Sequence, residues 1–306
     1  MTNCSLIDKF KTQKCNSENP EYLSKYLQTT YTEGFIFALL AKLSNVCMNK
    51  MLYFIIQGLV WKSCSYQLAT FNKNRCSNRF EIIPVNYIFT GNTLHVNVIL
   101  IDHQNREIEL FEPYGASRVT QSCDKQLIDI LDQMYPNYKV IFPEIFCPIG
   151  PQTVEKSGSC FIWSALYFYL RINCLQLSRR GLTDAMLDLQ SDQDTRLVTY
   201  IKSYFRFSHT HNLIVGFACY VNDLVSELKL EPFARFFVNI HANALKNLQN
   251  STTFIDEITY AYLTLDINKF VQILLDHNLY NSEINNIILS TPFLFDLLSP
   301  NMMSKL

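Results

Sequence analysis

The sequence is short of charge: Asp, Glu, Lys and Arg make up 17% of its 306 residues, against about 25% in an ordinary soluble domain. With 48% apolar residues beside it, that scarcity excludes a disordered or collagen-like chain. A formal net charge of -1 leaves no basic excess, so nucleic acid is not an expected partner and an anionic membrane is a poor one. Long apolar runs are missing too. The most apolar region, Gly34 to Trp61, is broken by Lys42 and Lys50. Its longest uncharged run, Met51 to Trp61, falls short of the roughly 20 residues a membrane helix needs. The region reads as buried core helices, with no membrane span. Met1 to Lys14 carries Asp8 and several lysines but no apolar core, so it does not read as a secretory signal. No C-x-x-C pair occurs among the ten cysteines, which removes the sequence basis for a zinc site. The thiols read as reduced and the protein as intracellular; no cofactor or metal is expected.

What is present is enough length for one large or two ordinary domains. Asn19, Pro20 and Glu21 together form a helix start, with a capping side chain, a proline that sacrifices no hydrogen bond and an acid near the positive end of the dipole. Helices are expected from Pro20 toward Gln28 and from Glu33 to Lys50. From Arg79 the texture turns to short β-rich runs, Arg79 to Phe89, Leu94 to Ile101 and Glu107 to Pro113, the last two joined as a hairpin by polar Asp102 to Arg106. A helix follows between Ser122 and Pro136, then a strand from Lys139 to Phe146, a loop, and an all-round apolar helix from Phe161 to Ile172. Beyond Arg179 the chain reads as helical, with polar breaks that include Ser208 to Asn212. This divides the chain into a helical N-terminal region 1–78, a core 79–177 and a helical C-terminal domain 178–306.

The core holds the candidate chemistry. A hairpin folded about the midpoint of His103 and Gln104 sets His95 opposite Glu112, Asn97 opposite Leu110 and Ile99 opposite Ile108. An imidazole beside a carboxylate is a general base with an orienting group. Cys160 follows Ser157, Gly158 and Ser159 at the first turn of the buried helix, where free backbone N–H groups and the helix dipole favour a thiolate. Gln152, in the loop before it, offers a side-chain amide for an oxyanion, with the Cys160 N–H as a second donor. His209 and His211 have the spacing of two ligands on one strand face, but no third ligand accompanies them. Met302 and Met303 read as a frayed tail.

The order His95, Glu112 within Phe111-Glu112-Pro113-Tyr114-Gly115, Gln152 and helix-borne Cys160 resembles the cysteine proteases that unite the adenovirus maturation protease with the SUMO-specific and ubiquitin-like-specific proteases. Leu94-His95-Val96-Asn97, Gly150-Pro151-Gln152 and Gly158-Ser159-Cys160-Phe161-Ile162-Trp163-Ser164 are similar, more closely, to relatives encoded by large DNA viruses. The resemblance covers Arg79 to Asn173. It implies an α+β fold whose papain-like, adenovirus-protease-like core packs an antiparallel-containing sheet on a buried nucleophile helix. It also implies Cys160 as nucleophile, His95 as general base, Glu112 as its orienter and Gln152 in the oxyanion hole. Where SUMO-specific enzymes usually carry tryptophan after the histidine, an acid before the cysteine and glycine after it, this chain has Val96, Ser159 and Phe161. The narrow glycine-accepting tunnel of those enzymes is therefore not expected here.

The function expected on these grounds is a thiol peptidase cleaving a peptide or isopeptide bond. Its partner is a protein substrate, either ubiquitin or a ubiquitin-like modifier, as in a deubiquitinase, or a viral precursor polyprotein; a viral chain would work in host cytoplasm or virion. An acetyltransferase could use the same triad, but it needs a basic site for coenzyme A that the near-neutral charge does not supply. A binding module that keeps the fold without turnover is the third reading.

Overall fold

The computed structural model of the chain describes residues 4–14, 33–49, 51–57, 63–67, 76–89, 94–116, 120–155, 160–188, 196–247, 252–263 and 265–306. The expected helix from Pro20 to Gln28 lies outside the described residues. Helix α1 (Ser5–Thr12) and helix α2 (Glu33–Leu43) precede strands β1 (Cys47–Met48), β2 (Leu52–Gln57), β3 (Ser63–Gln67), β4 (Phe80–Phe89), β5 (Leu94–Asp102) and β6 (Glu107–Phe111). After a 3-10 turn at Gln121–Cys123 come α3 (Asp124–Met134), β7 (Lys139–Ile141), α4 (Pro143–Phe146), α5 (Pro151–Glu155), α6 (Cys160–Asn173) and α7 (Arg179–Leu187). The rest is helical: α8 (Arg196–Glu227), α9 (Glu231–Asn247), α10 (Thr252–Leu263), α11 (Ile267–Asp276), α12 (Ser282–Ser290), α13 (Pro292–Asp296) and α14 (Pro300–Met303). The class is α+β. Among the described residues no helix is long and apolar enough to cross a membrane.

The strands make one seven-stranded mixed sheet in the order β3-β2-β4-β5-β6-β7, with β1 also paired to β4. The β4/β5 and β5/β6 ladders are antiparallel, and β1, β2 and β7 join in parallel. On one face Ile83, Val85, Ile99, Ile101, Ile108 and Leu110 pack with Leu127, Ile130 and Leu131 of α3, the period-2 and period-3.6 apolar patterns meeting as each element requires. Helix α6 packs on β5, where the Ser164 hydroxyl donates to the Val96 carbonyl at 2.9 Å. Its residues from Cys160 to Phe168 are all buried.

The hairpin register differs from the expected one by two residues. Ile99 pairs with Leu110 and Ile101 with Ile108, so the fold lies between Gln104 and Asn105. The reason is local. Asp102 stays in the ladder opposite Glu107, and its Oδ1 accepts from the backbone N–H of Gln104 and Asn105 at 3.1 and 3.2 Å. Arg106 completes the turn in the left-handed region at φ 53°. A slip of two preserves which residues share a face, whereas a slip of one would have inverted them.

Other expectations fail in informative ways. Region 1–78 is not wholly helical: Glu33 to Lys50 ends as a helix at Leu43, and Met51 to Trp61 contributes β2 rather than a core helix. Along β2 Leu52, Phe54 and Ile56 are buried and Tyr53 and Ile55 half-buried, but all five are apolar or aromatic, so the run looks the same in sequence as a helix segment. The strand expected to reach Phe146 stops at Ile141, because Pro143 opens α4. His209 and His211 lie within α8, not in a loop or strand, and Met302 is buried in α14 rather than frayed.

Two compact units emerge, one of residues 1–25 and 40–219, the other of 26–39 and 220–306. Ser178 is therefore not a boundary in contact terms. Residues beyond it are tied to the sheet and to α4, since Arg179 Nε donates to Glu109 Oε1 at 2.5 Å and the Thr183 hydroxyl to the Phe146 carbonyl at 2.5 Å. In the second unit Tyr262 stacks on Phe35 and Phe237, and Phe233 meets Phe270 edge-on. Its later helices are capped by side chains of Asp266, Asn281 and Ser299.

The expectation of reduced thiols is overturned at six positions. Disulfides join Cys4 to Cys174 and Cys47 to Cys76, and Cys123 and Cys219 are also disulfide-bonded. Scattered spacing hid these pairs: Cys4 and Cys174 are 170 residues apart, yet the fold sets their Cα atoms 5.8 Å apart, within disulfide range. Reduced thiols thus give no argument for an intracellular setting. Cys147 and Cys160 remain free.

Candidate functional site

The first unit brings the ends of β5, β6 and α6 together, and four buried side chains meet there or nearby: His95, Glu112, Gln152 and Cys160. His95 is the second residue of β5, held by the long ladder to β4 in register with Tyr87. Glu112 directly follows β6. His95 Nε2 lies 2.6 Å from Glu112 Oε1, although the two residues are not direct cross-strand partners. The register carries Asn97 toward Glu112 instead, and Asn97 Nδ2 donates to Glu112 Oε2 at 2.9 Å.

Glu112 is fully buried, a costly place for a carboxylate unless its lone pairs are filled. They are. Oε1 meets His95 and accepts the Tyr114 backbone N–H at 3.0 Å, while Oε2 accepts Asn97 Nδ2 and the Thr120 hydroxyl at 3.2 Å. Donors on every side suit the acceptor-only, ionised form. Asn97, Thr120 and the Tyr114 N–H are the members of the site that sequence reasoning missed. Asn97 was legible in principle, being two residues from His95 and so on its face, but the slipped register set it opposite Leu110. Thr120 carried no signal.

Burial works against charge on the imidazole, but the Glu112 carboxylate and the influence of Cys160 outweigh it, and the pKa of His95 is pushed up to about 10. The ring therefore holds its proton at neutral pH. An imidazolium beside the sulfur stabilises negative charge there, as does the helix start on which Cys160 sits. The Tyr114 ring lies 5.4 Å from the His95 ring, centroid to centroid. Its hydroxyl is held neutral by burial first and then by negative charge at Cys160 and Glu112.

Two glycines let the neighbouring loops interlock. Gly115 has φ 67° and bridges Ile149, and a Cβ on Gly150 would collide with Pro113 O and the Gly115 N. That close approach allows the Gln152 N–H to reach the Pro113 carbonyl at 3.0 Å, so Gln152 is anchored to the turn that carries Glu112. Its side chain is buried and its Oε1 has no hydrogen-bond partner. Ser157 to Ser159, the expected approach to Cys160, lie outside the described residues.

Cys147, the second free thiol, also sits near Glu112, but burial first and then the Glu112 charge push its pKa up to about 12. His209, named above for its spacing, directs Nε2 to the Ala185 carbonyl at 3.2 Å, the bond of a helix-packing residue. No family model, curated protein or solved structure matches the chain.

Proposed function

We propose that the chain is a thiol peptidase with a papain-like core of the adenovirus-protease and ubiquitin-like-protease type. The observation that carries this reading is the buried His95–Glu112 pair, 2.6 Å apart, with Cys160 at the start of α6 helping to hold the His95 proton. Nucleophile, base and orienter in sequence is the minimal apparatus of covalent acyl transfer. His95 holds a proton at neutral pH, and the thiolate form of Cys160 is the one that attacks. The sulfur attacks the substrate carbonyl, and His95 then gives its proton to the leaving amine. The acyl group is left on sulfur. His95, now neutral, takes a proton from water, whose oxygen attacks the thioester and releases the acid, restoring the pair.

Glu112 holds the imidazole in the tautomer and orientation the cycle needs, and Asn97, Thr120 and the Tyr114 N–H hold Glu112. Gln152 is assigned to the oxyanion. Its side-chain N–H is the group that would donate to the oxyanion; the buried Oε1, an acceptor, takes no part in that bond. The substrate is a protein, either a ubiquitin-type modifier or a precursor polyprotein.

A panel of ubiquitin-type electrophilic probes, applied to wild type, Cys160→Ala and His95→Ala, tests the reading. Covalent labelling of wild type alone is expected. No labelling by any probe, together with precursor processing unchanged by Cys160→Ala, would count against a peptidase.

A further inference from the structure

At the end of the β4/β5 ladder remote from His95, four side chains from separate elements converge. Cys47 belongs to β1, Cys76 precedes β4, Glu81 lies on β4 and His103 opens the β5–β6 turn. Cys76 Sγ, a Glu81 carboxylate oxygen and a His103 ring nitrogen all lie within 4.8 Å of one another. Cys47 is bonded to Cys76 and stands in register with Glu81 across the parallel β1/β4 pair. Glu81 is buried, while Cys47, Cys76 and His103 are half-buried, so an ion can reach the group from solvent.

An outer layer already orients the two harder ligands. Asn49 Nδ2 donates to Glu81 Oε1 at 2.7 Å, leaving Oε2 to face His103 Nε2 at 2.9 Å, and His103 Nδ1 lies 3.0 Å from the Tyr138 hydroxyl. Metal-bound histidines have this arrangement, one ring nitrogen on the ion and the other fixed by a partner that sets the tautomer. Two sulfurs, an imidazole and a carboxylate from a folded frame are a donor set for four-coordinate zinc.

We propose that this cluster is a zinc site that alternates with a disulfide. In the oxidised chain the Cys47–Cys76 bond is the cross-link. A dithiol reductant gives up two electrons and two protons and becomes a cyclic disulfide; the S–S bond takes them and becomes two thiols. One Zn2+ then binds both sulfurs, displacing their protons, together with Glu81 Oε2 and His103 Nε2, while His103 Nδ1–H donates to Tyr138. Either state ties β1 to β4; the zinc state also ties in the hairpin turn. The site is separated from His95 by most of β5, roughly 24 Å at about 3.4 Å per residue, so it is read independently of catalysis.

The test uses the full chain in a Cys160→Ser background, which keeps the His95 site from contributing a thiolate. The protein is reduced with dithiothreitol, freed of it without air and titrated with Co2+. A thiolate-to-cobalt charge-transfer band is expected, saturating at one ion per chain and displaced by Zn2+; the oxidised chain shows none. Cys76→Ser and His103→Ala diminish the band, and Tyr138→Phe, which keeps the ring, weakens Zn2+ binding about 10- to 100-fold. A reduced chain without the band overturns the proposal. So does a Zn2+ affinity unchanged by Tyr138→Phe, the deciding variant if the ligand substitutions fail to fold.

Discussion

Glu109 and Glu112 stand three residues apart on and just beyond β6, both buried, both surrounded by donors, and they are built for opposite purposes. Glu109 is clamped by permanent cations. Arg171 Nε and Nη2 reach its two oxygens at 3.1 Å each, Arg179 Nε reaches Oε1 at 2.5 Å, and the Tyr167 hydroxyl adds 3.0 Å to Oε2. No proton in that set can move near neutral pH. Its effect is mechanical: it fastens α6 and the start of α7 to the sheet. Glu112 is held by amide, hydroxyl and backbone donors that bring no charge, plus one ionisable partner, His95. Its field therefore acts on His95, which can gain or lose a proton, and also on Tyr114 and Cys147. The same chemistry, surrounded by guanidinium groups, makes a fastener and, surrounded by neutral donors and an imidazole, makes a site. The two thiols that are free among the described residues repeat the contrast, since Cys160 helps hold the His95 proton while Cys147 has its pKa pushed up to about 12 by burial and the Glu112 charge.

The contrast can be broken most severely at Glu112. Glu112→Ala is expected to lower turnover about 10⁴-fold, the order seen when an orienting carboxylate is lost from a triad, measured as probe-labelling rate or substrate cleavage. It also changes the pH dependence of stability. The His95 pKa is raised from 6.5 to about 10 in the folded chain, so its contribution is fully present below about pH 6.5 and is lost as pH rises through about 10. Denaturant melts of wild type should weaken across that window, and melts of Glu112→Ala should lose that contribution.

Glu109→Gln should do the reverse. Removing the charge leaves Arg171 buried without its counter-ion and costs about 3–5 kcal/mol, visible as a lowered urea midpoint, while the folded fraction keeps labelling at Cys160 within a few-fold. A catalytic collapse at Glu109 with stability intact would erase the distinction. Asn97→Ala is the finest of the three. It strips one donor from Glu112 Oε2 and should cost about 1–3 kcal/mol in stability and roughly tenfold in turnover, equivalent to about 1.4 kcal/mol in the barrier. Cleavage assays and chemical melts on one preparation measure both.

How much of this was legible depended on whether the signal was local. The apolar pattern of Phe161 to Ile172 marked α6, and Leu94 to Pro113 marked the hairpin, because periodicity and turn residues act within a few positions. Parity let His95 and Glu112 share a face even though the turn was centred one residue early, which shifts the pairing by two, and the fold brought them to 2.6 Å. The partners of Glu112 depended on the true register, so Asn97 was misplaced and Thr120 unseen. Strand β2 was hidden by an apolar run with no period of its own. The disulfides and the Glu109 cluster were invisible for one reason: their members come from elements far apart in the chain, and only three-dimensional closure brings them together. The Cys47, Cys76, Glu81 and His103 group shares that property, since it has no ligand spacing to read.

The central claim is that His95 activates one thiol and not the other. A small thiol-directed electrophile, applied to folded wild type and His95→Ala at neutral pH with the adduct mapped by peptide mass spectrometry, tests it most directly. The account predicts modification at Cys160 in wild type, a large loss of rate in His95→Ala, and Cys147 untouched in both. Equal labelling of Cys147 and Cys160, or a Cys160 rate indifferent to His95, would contradict it.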